Sequence, residues 1–179
     1  MTLENASVTR DQAPTIRAAT TNDIAGIAAV HVQAWRETYT GIAPDAFLEA
    51  LSVTEKEGQW RRTLEHGNAV LVAVLGGQVV GFTSGGFTRH APHDGEVYTL
   101  YLLKSAHGHG TGRALFTAML EALHERGSRS VIVWVLAANP TCRFYEHMGG
   151  VKEHEQTIEV GGEKILEHGY VFALPEPDA

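Results

Sequence analysis

Gly108, Gly110 and Gly112 alternate in a short stretch that follows an apolar, strand-like run ending at Leu103, and a helical pattern opens directly behind them at Thr111. A turn this poor in side chains lets its backbone N–H groups converge on one point, and the helix adds the positive end of its dipole. Such a junction is suited to gripping a diphosphate. It also restricts the fold, because a strand must deliver the loop and a helix must leave it.

The periodicities on either side build a mixed α/β chain. Thr15–Ala19 reads as a short strand, and Thr20, Thr21, Asn22 and Asp23 are a cluster of helix-capping side chains. Ile24, Ile27, Ala28, His31 and Ala34 recur at helical spacing, which predicts a helix to about Thr38. Gly41–Pro44 interrupts it, Asp45 caps a short helix to Leu51, and Thr54 opens another to Leu64 that carries Trp60. Ala69–Leu75 and Gln78–Gly85 are apolar runs joined by Gly76-Gly77, a hairpin signal because both turn positions can take positive φ. Glu96–Leu103 is the strand that enters the glycine loop. Thr111–Arg126 carries an apolar stripe of Leu115, Phe116, Met119, Leu120 and Leu123, with Gly127 as its C-cap. Ser130–Leu136 is a β-branched strand, Asn139-Pro140 starts a helix to about His147, and Val151–Val160 with Glu163–Leu174 closes the chain as a hairpin on Gly161-Gly162. The expected organisation is one domain over 15–174, with loose tails at 1–14 and 175–179.

Charge and cysteine content narrow the function. The net charge of −7 argues against nucleic-acid binding, which needs surplus Lys and Arg. The single cysteine, Cys142, allows neither an internal disulfide nor a Cys-rich zinc site, and in a helix first turn it reads as a small structural residue. His107-x-His109 and His90-x-x-His93 are the close histidine sets, and neither has an obvious carboxylate or cysteine completing it as a ligand set, so no metal is expected. The polar N-terminus lacks an apolar signal core and no run reaches transmembrane length, which makes a cytoplasmic protein without a membrane partner the expectation.

Two familiar phosphate sites fail on spacing. A Rossmann site places its glycines after the first strand with an acidic partner about 20 residues on. Here three strands come first, the loop reads GHGTG rather than GxGxxG, and it ends Gly-Arg-Ala where a P-loop needs Gly-Lys-Ser/Thr. The chain instead resembles the GNAT superfamily of acyl-CoA-dependent N-acyltransferases. Its Gln/Arg-x-x-Gly-x-Gly/Ala motif stands here as His107-Gly108-His109-Gly110-Thr111-Gly112. Its second signature stands as VWVLAANPTCRFYEHMGG, with Asn139, Phe144, Tyr145, Gly149 and Gly150. TIRAATTND and AWRETYTGIAPDAFLEAL are similar to the family's first strand and first two helices, so the likeness covers about 15–174. Three departures mark a subfamily: His107 replaces the usual Gln or Arg, Asn139 and Tyr145 stand one residue closer, and Gly150 replaces a frequent Phe.

The resemblance implies an α/β fold with a mostly antiparallel seven-stranded sheet, splayed between strands 4 and 5 and flanked by about four helices. It implies acetyl transfer from acetyl-CoA to a primary amine by direct attack in a ternary complex. His107, Gly108, His109, Gly110, Thr111, Gly112 and Arg113 would hold the diphosphate. Tyr101, Leu102 and Leu103 would line the pantetheine arm with Asn139 opposite, and the Leu102 N–H would face the oxyanion. Tyr145 would be the general acid, and Trp35, Tyr39 and Tyr98, with Phe47 nearby, would wall the amine site. Each has a plain structural reading as well: Tyr145 at a core edge beside Phe144, Asn139 as a helix cap, and the aromatic residues as core. Period-2 counting places Glu96 on one face with Tyr98, Leu100 and Leu102, where a carboxylate could serve as a base through water, or simply start the strand in solvent. Glu37, Glu49, Glu55 and Glu57 crowd the region that walls the amine site in this family, which favours a cationic acceptor, whether small molecule or peptide. A noncatalytic acyl-CoA-binding module, an acetyltransferase of protein N-termini or lysines, and a homodimer are left open by the sequence.

Overall fold

The computed structural model describes residues 13–88 and 90–176, so the expected N-terminal tail lies almost wholly outside the described residues. The chain runs β1 (Thr15–Ala18), α1 (Ile24–Tyr39), α2 (Asp45–Ala50), α3 (Val53–Glu65), β2 (Ala69–Leu75), β3 (Gln78–Phe87), β4 (Gly95–Leu102), α4 (Thr111–Glu125), β5 (Ser130–Leu136), α5 (Cys142–His147), β6 (Val151–Val160) and β7 (Glu163–Ala173). One sheet takes all seven strands in the order β1-β2-β3-β4-β5-β7-β6. Neighbours are antiparallel except β4 and β5, which run parallel. The fold matches the expected class, with five α-helices among the described residues rather than about four.

Local chemistry explains most boundaries. Both Gly-Gly hairpins form, with φ of 56° and 78° at Gly76 and Gly77 and of 59° and 85° at Gly161 and Gly162, values an L side chain resists. α3 begins one residue before the expected Thr54, because Ser52 is its cap and its hydroxyl accepts from Glu55 N at 3.3 Å. α5 starts at Cys142 and not at Asn139: the Asn139 side-chain oxygen accepts from Thr141 N at 2.9 Å, folding Asn139 and Pro140 into a turn ahead of the helix. The expected C-terminal tail begins anchored, since Pro175 O accepts from His124 Nε2 at 2.9 Å.

Two cores lie on opposite faces of the sheet. Ile24, Ile27 and Ala28 of α1 and Trp60 of α3 pack on Val70, Val72 and Phe82. Phe116, Met119 and Leu123 of α4 pack on Val97, Val131 and Val133, with Tyr145 of α5 and Tyr170 and Phe172 of β7. Burying each such large apolar side chain contributes about 1.5–3 kcal/mol, so both helix layers are firmly seated. A smaller cluster of Tyr39, Leu48, Leu136 and Val160 docks α2 against the β6–β7 hairpin.

β4 corrects the face counting made from the sequence. Ser84 pairs with Thr99 and Gly85 with Val97, so Tyr98 is an extra residue, a β-bulge. Past it the alternation changes sense. Val97 and Leu100, three apart, both pack on the α4 side, while Tyr101 joins Phe82 on the α1 side. Glu96 therefore does not share a face with Leu100 and Leu102. The bulge also marks where the sheet opens: Gly95, Glu96 and Val97 pair with Val131, Ile132 and Val133, and no β4 residue beyond Val97 pairs with β5.

Candidate active site

The parting of β4 and β5 leaves a cleft of about 460 Å³. Its walls include Val97–Leu102 of β4, Val133–Val135 of β5, Ala34, Thr38 and Tyr39 of α1, Asn139, Thr141, Phe144 and Tyr145, and the loop residues His107, Gly108, Gly110, Thr111, Gly112 and Arg113. Of the residues expected at the site, Tyr39, Tyr98, Tyr101, Leu102, Asn139 and Tyr145 thus meet the glycine loop in one space. Glu96, Leu103, His109 and Trp35 do not line it. Leu103 joins the α1-side core, its N–H spent on Val80 O at 3.0 Å. Trp35 packs between Tyr39 and Phe47, with ring centroids 4.5 and 5.6 Å away.

The loop is shaped for an anion. Gly108 and Gly110 hold φ of 81° and 75°, Gly110 caps α4, and the first N–H groups of α4 have no intrahelical acceptor. A Cβ on Gly112 would meet only Phe144, at 4.0 Å, so the space over the helix start is open. Thr111 is 3% exposed, and its hydroxyl is buried without a hydrogen-bond partner at this point of the wall. His107 Nε2 donates to Leu102 O at 3.1 Å, bracing the end of β4. Lys104 N donates to Glu37 at 2.9 Å, which ties the approach to the loop onto α1.

The opposite walls carry phenols in dry surroundings. Burial raises the Tyr145 phenol well above its ordinary range, with Tyr39 and Cys142 adding to the rise. Burial likewise raises Tyr101 and Tyr39, although the Asn139 amide and Tyr101 hydroxyl beside Tyr39 oppose its rise. Successive residues of a strand aim their N–H groups to opposite edges. Because Leu103 N bonds to β3, Leu102 N faces the cleft. Asn139 lines the cleft, and in place of the expected helix cap its side-chain oxygen accepts from Thr141 N in the turn ahead of α5, whose own cap position is Thr141. Cys142 Sγ lies 3.7 Å from Leu136 O, in keeping with a structural thiol.

The acidic groups stand differently from expectation. None of the described lining residues is a carboxylate, and Glu37, held by Gln33 and Lys104, turns to the loop backbone. The predicted acidic wall of Glu37, Glu49, Glu55 and Glu57 is therefore absent from the described cleft. Glu96 lies just beyond the closed end and accepts from Thr88 Oγ1 at 2.7 Å. Glu167 of β7, which sequence reading missed, is its neighbour: burial and then the Glu96 charge raise its carboxyl, against a bond from Gln156 at 2.9 Å. Trp134 also escaped notice. It lines the cleft with its indole N–H buried and unpartnered. No local signal marks either residue, since both are ordinary strand positions.

The model of the acetyltransferase (GNAT) family matches residues 29–150, which takes in the loop, the cleft and α5. The chain belongs to the GNAT acetyltransferase family. It is 38% identical over 159 residues to the uncharacterized N-acetyltransferase YuaI of Bacillus subtilis, covering 87% of this chain and 90% of that protein. Among solved structures, ribosomal-protein-alanine N-acetyltransferase of Brucella melitensis is similar at a TM-score of 0.72 and 25% identity, covering 89% of this chain and 99% of its own. YncA of Salmonella typhimurium, whose structure holds its cofactor acetyl-CoA, shares the fold at a TM-score of 0.72 and 20% identity over 94% of this chain and 98% of its own. This GNAT enzyme has, among the described residues, no helix long and apolar enough to cross a membrane.

Proposed function

We propose that this acetyltransferase moves an acetyl group from acetyl-CoA to a primary amine by direct attack within a ternary complex. One observation carries the reading: a single cleft joins an anion-shaped loop, an outward strand N–H and a buried phenol. The donor fits the residues present. Thr111 offers an orphaned hydroxyl, Gly112 an open cradle, and Arg113 the charge for a diphosphate. Tyr101, Leu102 and Asn139 would flank the arm that follows, with His109 contributing through its backbone. The donor, when bound, supplies the activated thioester.

Each chain residue then has a chemical task. The Leu102 N–H donates to the oxygen on which negative charge develops. Tyr145 keeps its proton at any working pH because burial disfavours the phenolate. The same dry gap disfavours a thiolate, so the departing sulfur becomes basic enough to take that proton. Tyr39, Tyr98 and Trp134 give the amine an aromatic wall. Its excess proton leaves through water toward Glu96 and Glu167.

Thiol-release kinetics over an amine panel test this. Intersecting initial-rate patterns are expected, and parallel ones would exclude direct attack. Tyr145→Phe should keep acetyl-CoA affinity and lower kcat roughly 10²–10⁴-fold; a change of less than about twofold would leave Tyr145 a packing residue. Glu96→Gln should move the acidic limb of the pH–rate profile, and an unmoved limb removes Glu96 as the base.

A further inference from the structure

We propose that His93, Glu153 and His154 form a binding site for a divalent transition-metal ion of the zinc class, outside the lining of the acetyl-transfer cleft but beside its wall residue Trp134, whose ring centroid is 6.3 Å from that of His154. His93 precedes β4, whose eight residues put it roughly 25 Å from the glycine loop. Its Nε2 faces the Nε2 of His154 at 2.9 Å. Two imidazole lone pairs cannot share that space unless a proton or a cation stands between them. A carboxylate oxygen of Glu153 lies within 4.8 Å of a ring nitrogen of each histidine, and this added negative charge is what a dication requires and a shared proton does not.

The surrounding backbone aims the three groups together. Adjacent residues of a regular strand point to opposite faces, so Glu153 and His154 should diverge. β6 carries a bulge there: Lys152 pairs with Tyr170 and His154 with Gly169, leaving Glu153 as the extra residue. Lys152 and Glu155, three apart, consequently meet on one face at 2.6 Å, away from His154. Gly169 makes room for the His154 ring, since a Cβ there would come within 2.9 Å of His154 Cβ and 3.1 Å of Trp134. Ser130 Oγ lies 2.7 Å from His93 Nδ1, the outer-shell partner that fixes a ligating imidazole with its other nitrogen free.

Two imidazoles and one carboxylate suit zinc, and three protein ligands leave a fourth position for water. Tetrahedral bonds of this kind separate two nitrogens by about 3.3 Å, so the rings need part by only a few tenths of an ångström. His93 is 9% exposed and Glu153 is exposed, so the ion would enter from the Glu153 side. Bound there, it would pin the loop before β4 to β6.

The test uses the untagged full chain, stripped with EDTA and titrated with Zn²⁺ against a chromophoric chelator. One ion per chain is expected, with a rise in melting temperature on saturation. His93→Ala and His154→Ala should each weaken Zn²⁺ by about 100-fold or more, and Glu153→Gln by about 10-fold. Glu153→Gln changes an exposed side chain and keeps the result readable if a histidine variant fails to fold. Co²⁺ should give the visible bands of a four-coordinate site in the wild type and lose them in His154→Ala. No stoichiometric binding, or binding that Glu153→Gln and His154→Ala leave unchanged, overturns the proposal.

Discussion

Two groups of buried polar atoms lie on either side of α1, and they are treated in opposite ways. Toward α3 and at the N-terminus of α1, His31 and Asp23 are paired. Trp60 Nε1 donates to His31 Nδ1 at 3.2 Å, and Asp23 accepts from both terminal nitrogens of Arg17 and from Thr20 N, each at 2.8 Å. Toward the cleft, Thr111 Oγ1 and Trp134 Nε1 are buried without partners, and Leu102 N is turned away from its neighbouring strand. An unsatisfied buried polar group costs about 1–3 kcal/mol, so a fold that keeps several in one cleft is holding places for a ligand. Trp35 Nε1, packed outside the cleft lining, is likewise buried without a partner, so the contrast that holds is between paired His31 and Asp23 and the unpaired Thr111 and Trp134 of the cleft wall.

Substitutions on the two sides should therefore separate binding from stability. The largest effect belongs to Gly112→Asp. A carboxylate in the first turn of α4 suits the helix dipole and has space, so melting should shift by no more than a few degrees. Beside a diphosphate the same charge is repulsive by several kcal/mol, and acetyl-CoA affinity should fall about 10³-fold by calorimetry. Retained affinity would break the contrast.

His31 gives the next effect, on stability alone. Burial pushes its pKa down to about 3 from an ordinary 6.5, with Lys56 adding to the fall. The unfolded chain binds this proton first, so its contribution is whole above pH 6.5 and is lost as pH falls toward 3, by roughly 1.4 kcal/mol per unit. Denaturant midpoints compared with those of His31→Gln, which keeps an acceptor for Trp60, should show the variant flatter over that window; equal slopes would mean His31 does not titrate on unfolding. Asp23 should give the smallest effect. The bond from Arg17 holds its carboxyl down to about 2 from 3.8, so its stabilisation is present above pH 3.8 and fades toward 2. Asp23→Asn should lose that acid-limb response and leave kcat unchanged; a shifted kcat would join the two regions the comparison separates.

How much of this is legible before folding depends on the range of the signal. The glycine loop, both Gly-Gly turns and the α4 stripe are patterns within a few residues, and each forms where its spacing predicts. The family motifs are equally local, so the cleft's loop and Tyr145 could be named from the chain alone. Counting fails at the Tyr98 bulge, because an extra residue leaves no mark in a run of strand formers, and so Glu96 falls on the other face from Leu100. Proximity along the chain misled as well. His93 was paired by spacing with His90, whereas its partner His154 is 61 residues away.

The sequence by itself determined the elements and the anion loop, since hydrophobic period, caps and positive-φ glycines act through neighbours a turn apart. Only the tertiary structure decided which strands part, which polar groups stay unpaired and which distant side chains meet. Those outcomes depend on strand register and bulges, which are set when separate segments pack, and no short stretch of chain contains them.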